Sequence, residues 1–443
     1  MARDDISLIV RDAWLVPLDE RRTPPFHGHL VVGADGRILR LAPGEPSGTG
    51  ARILDARGRT LLPGFVSAHS HLWQSPFRGI GDGLRTWEWM GRLHRRYGPA
   101  FDDDDLYHLT RHGALDLLRA GVTTVYNHTH DFGRGAGGQW EAAFTVPQRT
   151  VYGFSPPMWA GAAERAGGIA AFAETAADRA DDPRLLGLSV NTTGTMDVAD
   201  MRAEADLIRS LGFCMQAHYL EDPTQAEQDL AAFDDLVAAG RVASDVTFAH
   251  FVHATPEIVA ECARRGAGMV WNPLSNGRLG AGLPDIAGYR EAGLWLGMGL
   301  DGQASADLAD PFQNMRAGLY ALRMHHRDPA VLSCEDMLRL HTVDSAALLG
   351  VAAHVGSLAP GRFADFLLVD LSRYGPVEDR YAHLVLAASA TDITAVHVGG
   401  ADTGDAYTGD TGDTGDAEDM AARVARIRAR AKEGEARAKE NAC

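Results

Sequence analysis

The feature that most constrains the fold is a regular alternation of short apolar runs and amphipathic segments between residues 61 and 301. The apolar runs end in polar residues, whereas the segments between them place alanine and leucine at helical spacing. Strands that alternate with helices are typical of a parallel sheet. The eight predicted strands are 64–71, 121–128, 150–155, 185–191, 213–221, 246–251, 268–273 and 294–301. Eight such units in roughly 240 residues predict an α/β fold, a TIM-like (β/α)8 barrel.

Both ends of the chain have a different sequence pattern, which is typical of β-strands. Short apolar runs separated by glycine turns occupy the residues before the barrel, and similar runs return after Gly350. They predict a small β-sandwich domain built from N- and C-terminal segments, with the barrel inserted between its halves. We therefore expect five units: the N-terminal half of the sandwich (1–58), the barrel (59–352), the C-terminal half of the sandwich (353–400), a flexible linker (401–416) and a helical tail (417–443).

The predicted linker repeats the tripeptide Thr-Gly-Asp and contains almost nothing apolar. Such a segment cannot bury enough surface to fold alone, which predicts flexibility. The tail that follows is rich in alanine, arginine, lysine and glutamate, a composition that predicts a helix. Two roles remain open for this helix: a solvated tail, or a surface that binds a partner or another subunit.

The charge balance limits the possible partners. The chain has 42 Lys and Arg against 59 Asp and Glu, a net charge of −17 with histidine neutral. Nucleic-acid binding requires a basic surface and adsorption to an anionic membrane requires a polybasic segment, so we expect neither partner.

Cysteine usage and the N-terminus bear on the compartment. The 4 cysteines form no C-x-x-C pair, which is typical of a reducing compartment. The first residues lack the pattern of a signal peptide, and no apolar run of about 20 residues occurs. We expect a soluble cytoplasmic protein.

Polar residues at the ends of the predicted strands form a candidate metal site. His69 and His71 lie two residues apart on one strand, so their side chains point to the same side. His218 and Asp301 end the fifth and eighth predicted strands, and the carboxyl ends of barrel strands meet at one face. Three imidazoles and a carboxylate suit Zn²⁺ or Fe²⁺ and leave a position for water, whose pKa the metal lowers to about 7. A lone H-x-H is a weak signal, but four residues at matching strand ends predict a metal centre.

Five segments of the chain resemble the amidohydrolase superfamily. They are Pro-Gly-Phe-Val-Ser-Ala-His-Ser-His (63–71), Gln-Ala-His-Tyr-Leu-Glu (216–221), Asn-Pro-Leu-Ser-Asn (272–276), Gly-Met-Gly-Leu-Asp-Gly (297–302) and Gly-Ser-Leu-Ala-Pro-Gly-Arg-Phe-Ala-Asp (356–365). More narrowly, they are similar to the branch that includes cytosine, guanine and S-adenosylhomocysteine deaminases and the triazine hydrolases. The resemblance extends over nearly the whole chain up to about Gly400, with the motifs in the same order.

The resemblance implies roles for the matching residues. The metal ligands would be His69, His71, His218 and Asp301. Glu221 matches the proton shuttle, and His250 matches the histidine that polarises the attacking water or the substrate. Asp301 would also accept the proton of the nucleophile and relay it to the leaving amine.

The resemblance also implies the number of metals. Binuclear relatives carry a carbamylated lysine on the fourth strand, whereas the strand predicted at 185–191 contains no lysine. We therefore expect one divalent ion, Zn²⁺ or alternatively Fe²⁺. The resemblance further suggests a homodimer or a larger homo-oligomer.

Three residues are candidates for binding the substrate. Gln74 follows His71 at the spacing of guanine-type and hydroxytriazine-type aminohydrolases, in which a glutamine pairs with the amide edge of a ring; a solvent-facing loop residue is the alternative. Trp87 would form an aromatic wall for a flat heterocycle or simply pack the loop. His128, after the second strand, is a candidate pocket residue.

The metal site and the resemblance together imply an enzyme that releases ammonia from an amino-substituted N-heterocycle of the purine, pterin, pyrimidine or triazine type. Hydrolysis of a C–Cl bond or of a cyclic amide is an alternative, because the same activated water would serve it. A non-catalytic binding relative is a third possibility, but a binding protein has no need of a proton shuttle beside a metal.

Overall fold

The structure, a computed structural model, describes residues 6–46, 51–133, 137–157, 160–194, 196–404 and 416–441. The repeated segment of the predicted linker, residues 405–415, lies outside the described residues. The first residues assigned to that linker, Ala401–Asp402, form a strand that pairs with Ile393–Val398. The division of the chain into five units stays a prediction.

The larger sheet is parallel and forms the predicted barrel. Its strands are Phe65–His71, Val122–His128, Arg149–Phe154, Leu185–Asn191, Cys214–Tyr219, Val246–His250, Gly268–Trp271, Trp295–Met298 and Asp301–Gly302. The last two are consecutive pieces of the eighth strand of the barrel. The first piece pairs with the seventh strand, and the second pairs with the first strand through Asp301 and Ser70. The sheet therefore closes on itself, and each of the eight predicted strands is confirmed.

Helices follow the barrel strands along the chain. The described α-helices are Thr86–Met90, Asp103–Arg119, Gly137–Ala142, Ala162–Ala177, Val198–Ser210, Ala226–Ala231, Phe233–Ala238, Pro256–Arg265, Pro273–Arg278, Ile286–Glu291, Pro311–His326, Cys334–Leu340, Val343–Leu348, Arg380–Ala382 and Asp416–Asn441. The first and second strands are buried along their whole length, because parallel strands are covered on both faces. Among the described helices, none combines the length and apolarity that a bilayer span requires.

A second, mixed sheet joins the two ends of the chain. Its eight strands are Ile6–Leu15, Phe26–Gly33, Ile38–Pro43, Arg52–Asp55, Thr60–Pro63, Phe366–Val369, Ile393–Val398 and Ala401–Asp402. Thr60–Pro63 pairs with Ile6–Leu15 on one side and with Phe366–Val369 on the other. The predicted β domain with strands from both termini is confirmed, and these strands form one continuous sheet around a separate apolar core.

The C-terminal helix Asp416–Asn441 is not a freely solvated tail. Ile427 is fully buried, and Val424 and Ala431 are nearly so, against side chains of residues 73–106 of the same chain. Neither of the two roles expected from its composition describes this packing. Composition could not reveal it, because a basic alanine-rich helix has the same sequence pattern in solvent and beside an acidic surface.

A buried ion pair links the two sheets. Arg149 begins the third barrel strand and donates two hydrogen bonds to Asp365, of 2.7 and 3.0 Å. Asp365 also accepts a bond from the backbone N–H of Gly399, at 2.7 Å. Both side chains are almost completely buried, so each charge depends on the other for its solvation.

We predict that Asp365→Ala lowers the free energy of unfolding by about 3–5 kcal/mol, because it leaves the Arg149 guanidinium buried and unpaired. Denaturant unfolding of the variant and the parent measures this difference. Asp370→Ala is the matched control, since Asp370 forms a partly exposed pair with Arg59 at 3.7 Å and should cost at most about 1 kcal/mol. Equal effects of the two substitutions would contradict the prediction.

Candidate metal centre and active site

The first barrel strand places two imidazoles with their Nε2 atoms directed to the centre of the barrel mouth. His69 Nδ1–H donates to the side-chain oxygen of Gln216 at 2.6 Å. His71 Nδ1–H donates to the backbone carbonyl of His128 at 3.0 Å. These bonds place the ring proton on Nδ1 and leave each Nε2 with a free lone pair. Consistent with this, His69 Nε2 is buried and has no hydrogen-bond partner among the described residues.

Two further strands bring donors to the same point. The Nε2 atoms of His71 and His218 are 3.2 Å apart. Asp301 Oδ1 lies 3.5 Å from His69 Nε2 and 3.4 Å from His71 Nε2. The structure thus brings together the four residues predicted as ligands, with His218 open to the cavity and the other three buried.

The donor set suits a divalent metal. Ligand atoms of His69, His71 and Asp301 lie within 4.8 Å of one another, as do those of His69, His218 and His250. Imidazole nitrogens with an orienting bond on the far nitrogen, together with one carboxylate, are the ligands that Zn²⁺ and Fe²⁺ accept. A buried lone pair without a partner, such as that of His69 Nε2, is costly unless a cation or a donor meets it.

The backbone around this centre is strained. Leu220, His250 and Asp301 have φ angles of 53°, 75° and 55°, in the left-handed region that residues other than glycine seldom adopt. All three lie at or just after the carboxyl ends of barrel strands. Strained residues persist where the surrounding packing holds them, and they cluster at functional sites.

Glu221 lies three residues after His218, at the wall of the same cavity. Burial, together with the negative charges of Asp301 and Asp222, raises the pKa of its carboxyl group well above the usual value. Its Oε1 lies 3.5 Å from the hydroxyl of Thr86 and 3.7 Å from His250 Nδ1. A carboxyl group with a raised pKa can both accept and return a proton near neutral pH.

His250 is held as a neutral imidazole. The side-chain amide of Asn276 donates to its Nδ1 at 3.0 Å, and burial lowers its pKa to about 4. Its Nε2–H is therefore directed toward the metal centre, 3.9 Å from Asp301 Oδ2. The same carboxylate oxygen accepts a bond from Ser305 Oγ at 2.9 Å, which fixes its orientation.

The predicted substrate-binding residues all line one cavity of about 420 Å³ above the centre. Trp87 lies at the rim and is 45% exposed. Gln74 is buried; its Nε2 is 3.4 Å from His94 Nε2, and its Oε1 has no hydrogen-bond partner in the described segments of the chain. The ring of His128 packs against that of His218, with centroids 4.6 Å apart.

Gly302 makes room for Gln74. A Cβ atom at this position would lie 1.8 Å from Gln74 Oε1, so a larger residue would displace the glutamine side chain. The position after Asp301 in the sequence motif therefore requires glycine because of this close packing, which the motif alone did not reveal.

Sequence reasoning missed several residues that orient the centre. Gln216 lies two residues before His218 on the same strand, and this spacing was a signal that it faces the same side. Asn276 ends the motif at 272–276, but the motif did not indicate its contact with His250. Ser305 and His94 gave no signal, because they reach the site from a loop and from the segment after the first strand.

Comparison with known proteins agrees with this geometry. The profile described as "Amidohydrolase family" matches residues 60–401. A 5-methylthioadenosine/S-adenosylhomocysteine deaminase of Symbiobacterium thermophilum is 28% identical, over 89% of this chain and 92% of its own.

Solved structures share the fold. An adenosine deaminase from Xanthomonas campestris with bound zinc superposes with a TM-score of 0.81 at 24% identity, over 89% of this chain and 92% of its own. An atrazine chlorohydrolase from Arthrobacter aurescens, complexed with zinc, has a TM-score of 0.78 at 23% identity, over 89% and 94% of the two chains. The family match covers far more than half of the sequence, and it confirms the superfamily predicted from the motifs. The chain belongs to the amidohydrolase family.

Proposed function

We propose that the protein is a metal-dependent hydrolase that deaminates an amino-substituted N-heterocycle. The observation that carries this proposal is the meeting of His69, His71, His218 and Asp301 beside Glu221 at the base of one cavity. The expected reaction class agrees with the relatives, which are named as 5-methylthioadenosine/S-adenosylhomocysteine deaminases. Overall, water and the aminated ring are converted to the hydroxylated ring, or its keto tautomer, and ammonia.

One divalent ion, which we propose to be Zn²⁺ with Fe²⁺ as the alternative, would be held by the four predicted ligands. Such an ion, when bound, acts as a Lewis acid and lowers the pKa of a coordinated water to about 7. The fourth barrel strand, Leu185–Asn191, contains no lysine that could bridge a second ion, which supports a mononuclear site.

The residues around the ligands have complementary tasks. Glu221 would accept a proton from the attacking water and deliver it to the ring nitrogen beside the reacting carbon. His250, held by Asn276, would donate a hydrogen bond from Nε2 to the oxygen that gains negative charge. Asp301 Oδ2, oriented by Ser305, would take the second proton of the water and pass it to the leaving amine.

The cavity walls fit a flat, hydrogen-bonding ring. Gln74 offers an amide whose oxygen lacks a partner among the described residues, and an amide can pair with a ring lactam that both donates and accepts. Trp87 would cover the ring at the rim, and His128 would contact it near the centre. Purines, pterins, pyrimidines and triazines share these features, so the ring class is open within this group.

A substrate panel tests the proposal. We expect the zinc-loaded or iron-loaded protein to release ammonia from at least one of 5′-methylthioadenosine, S-adenosylhomocysteine, adenosine, guanine, a pterin, cytosine and an aminotriazine. A chlorotriazine and a cyclic amide, assayed for chloride and ring opening, test the alternative reactions. Turnover of only the latter two would replace deamination by those reactions, and inactivity on all of them would contradict the proposal.

Glu221→Gln should reduce kcat by about 10²- to 10⁴-fold, because glutamine occupies the same volume but cannot shuttle a proton. The bound metal should be retained, since Glu221 is not among the proposed ligands. Steady-state kinetics and elemental analysis of the same preparation measure both effects. Glu227→Gln, an exposed residue on the next helix, is the matched control and should behave like the parent. A variant at Glu221 with normal kcat would rule out the proton shuttle.

Gln216→Leu should weaken metal affinity by about 10- to 100-fold, because His69 loses the acceptor that fixes its ring and tautomer. Competition with a chelator, followed by elemental analysis, measures the affinity. The parent should contain one metal per chain. Gln313→Leu, at an exposed position of a peripheral helix, controls for the loss of an amide. An unchanged affinity for Gln216→Leu would show that the bond to His69 does not orient the ligand.

A further inference from the structure

The C-terminal helix Asp416–Asn441 packs against the segment that forms one wall of the cavity. We call residues 84–101, which lie between the first barrel strand and the helix Asp103–Arg119 and include the short helix Thr86–Met90, the pocket loop. The cavity-lining residues of this loop are Thr86, Trp87, Trp89, Met90 and His94. The C-terminal helix lies beyond residue 401, outside the region of the chain that matches the family.

Ion pairs join the helix to the end of the pocket loop. Arg423, which is almost completely buried, contacts Asp104 at 2.7 Å and Asp105 at 3.0 Å. Arg430 contacts Asp102 at 2.7 Å and also pairs with Asp105. Asp102 and Asp105 form the capping box that starts the helix after the loop, so the arginines contact the junction where the loop ends and that helix begins.

A fifth ion pair reaches the loop itself. Arg96 of the pocket loop lies 2.9 Å from Glu435 of the helix. This pair is partly exposed and contributes little by itself. Its position about one turn beyond Arg430 shows that the contact between loop and helix extends along the helix beyond that junction.

Apolar side chains continue the contact. Val424, Ile427 and Ala431 lie on one face of the helix, at the spacing of successive turns. They belong to one hydrophobic cluster with side chains from the pocket loop and its neighbours, including Trp89, Leu93, Tyr97 and Phe101. The buried apolar residues of the loop therefore share one core with the C-terminal helix, while a cavity of about 810 Å³ lies between the exposed side of the loop and residues 430–438 of the helix.

The inner side of the same loop contacts the proposed active site. Trp89 Nε1–H donates to the carbonyl of Ala304 at 2.8 Å, next to Ser305, which bonds Asp301. The hydroxyl of Thr86 lies 3.5 Å from Glu221 Oε1. The same segment of chain therefore contacts the C-terminal helix through its last residues and the proposed active site through Thr86 and Trp89.

We propose that the C-terminal helix positions the pocket loop and thereby sets the affinity for substrate, with Arg423 and Arg430 as positioning residues. The ligands of the proposed metal site and Glu221 lie on barrel strands or directly after them, and the loop reaches them through the 3.5 Å approach of Thr86 to Glu221 and the bond of Trp89 to Ala304. Loss of the helix contact should therefore weaken substrate binding more than it slows the chemical step. This effect on binding rests on the proposed function.

The test is Arg423→Glu in the full-length, metal-loaded protein, which places a carboxylate beside Asp104 and Asp105. With whichever heterocycle the panel identifies, KM should rise by about tenfold or more, while kcat and metal content stay within about twofold. Arg423→Lys keeps the charge and should restore KM to within about threefold of the parent. Arg428→Glu makes the same change of charge at an exposed position of the helix and should have no effect.

Hydrogen exchange of the pocket loop provides a readout that does not depend on any substrate. Amides of residues 84–101 should exchange faster in Arg423→Glu than in the parent, and those of the first barrel strand should not. Faster exchange in a protein that deaminates nothing would retain the positioning role while rejecting the proposed function. Unchanged exchange and KM in Arg423→Glu would overturn the inference. A uniform loss of stability and kcat without a change in KM would do the same, since it indicates a purely structural helix.

Discussion

The geometry of the site depends on the bonds that fix the Nδ1 atoms of His69 and His71. A side-chain amide and a backbone carbonyl accept these protons, so both Nε2 lone pairs face the same point as Asp301. Without such bonds an imidazole rotates and changes tautomer at little cost, and the donor atoms would not converge. The strained backbone at Leu220, His250 and Asp301 indicates that the packing of the barrel holds this arrangement.

The barrel strands bring the proposed ligands together, and the second sheet holds the start of the first barrel strand. Thr60–Pro63 is a strand of the second sheet and continues directly into the first barrel strand, which carries two of the proposed ligands. The eighth strand closes the barrel by pairing beside those ligands, at Ser70 and His71. Arg149 and Asp365 join the two sheets by a buried ion pair. Strands from the amino- and carboxyl-terminal regions of the chain thus both fix the position of the segment that leads into the first barrel strand.

Features of the fold and the site were predictable from the sequence where they depend on neighbouring residues, and not where they depend on contacts between distant parts of the chain. Strands were predictable because apolar runs and their polar ends are local features, and His69 with His71 share a side by simple alternation. The same alternation could have predicted that Gln216 faces the same side of its strand as His218. Asn276 and Ser305 were not, because a loop residue contacts its partner through a turn whose geometry the sequence pattern does not specify. The C-terminal helix was predicted as a helix, but its packing was not.

The sequence by itself determined the family, the barrel and the residues that we propose as metal ligands, because motif order and strand periodicity are local properties of the sequence. Only the tertiary structure decided which partners orient those residues and which segments wall the cavity. Contacts such as Arg423 with Asp105 join residues more than 300 positions apart. The charges that make such a contact favourable are visible in the sequence, whereas the closed barrel and the path of the chain around it decide which of many oppositely charged residues meet.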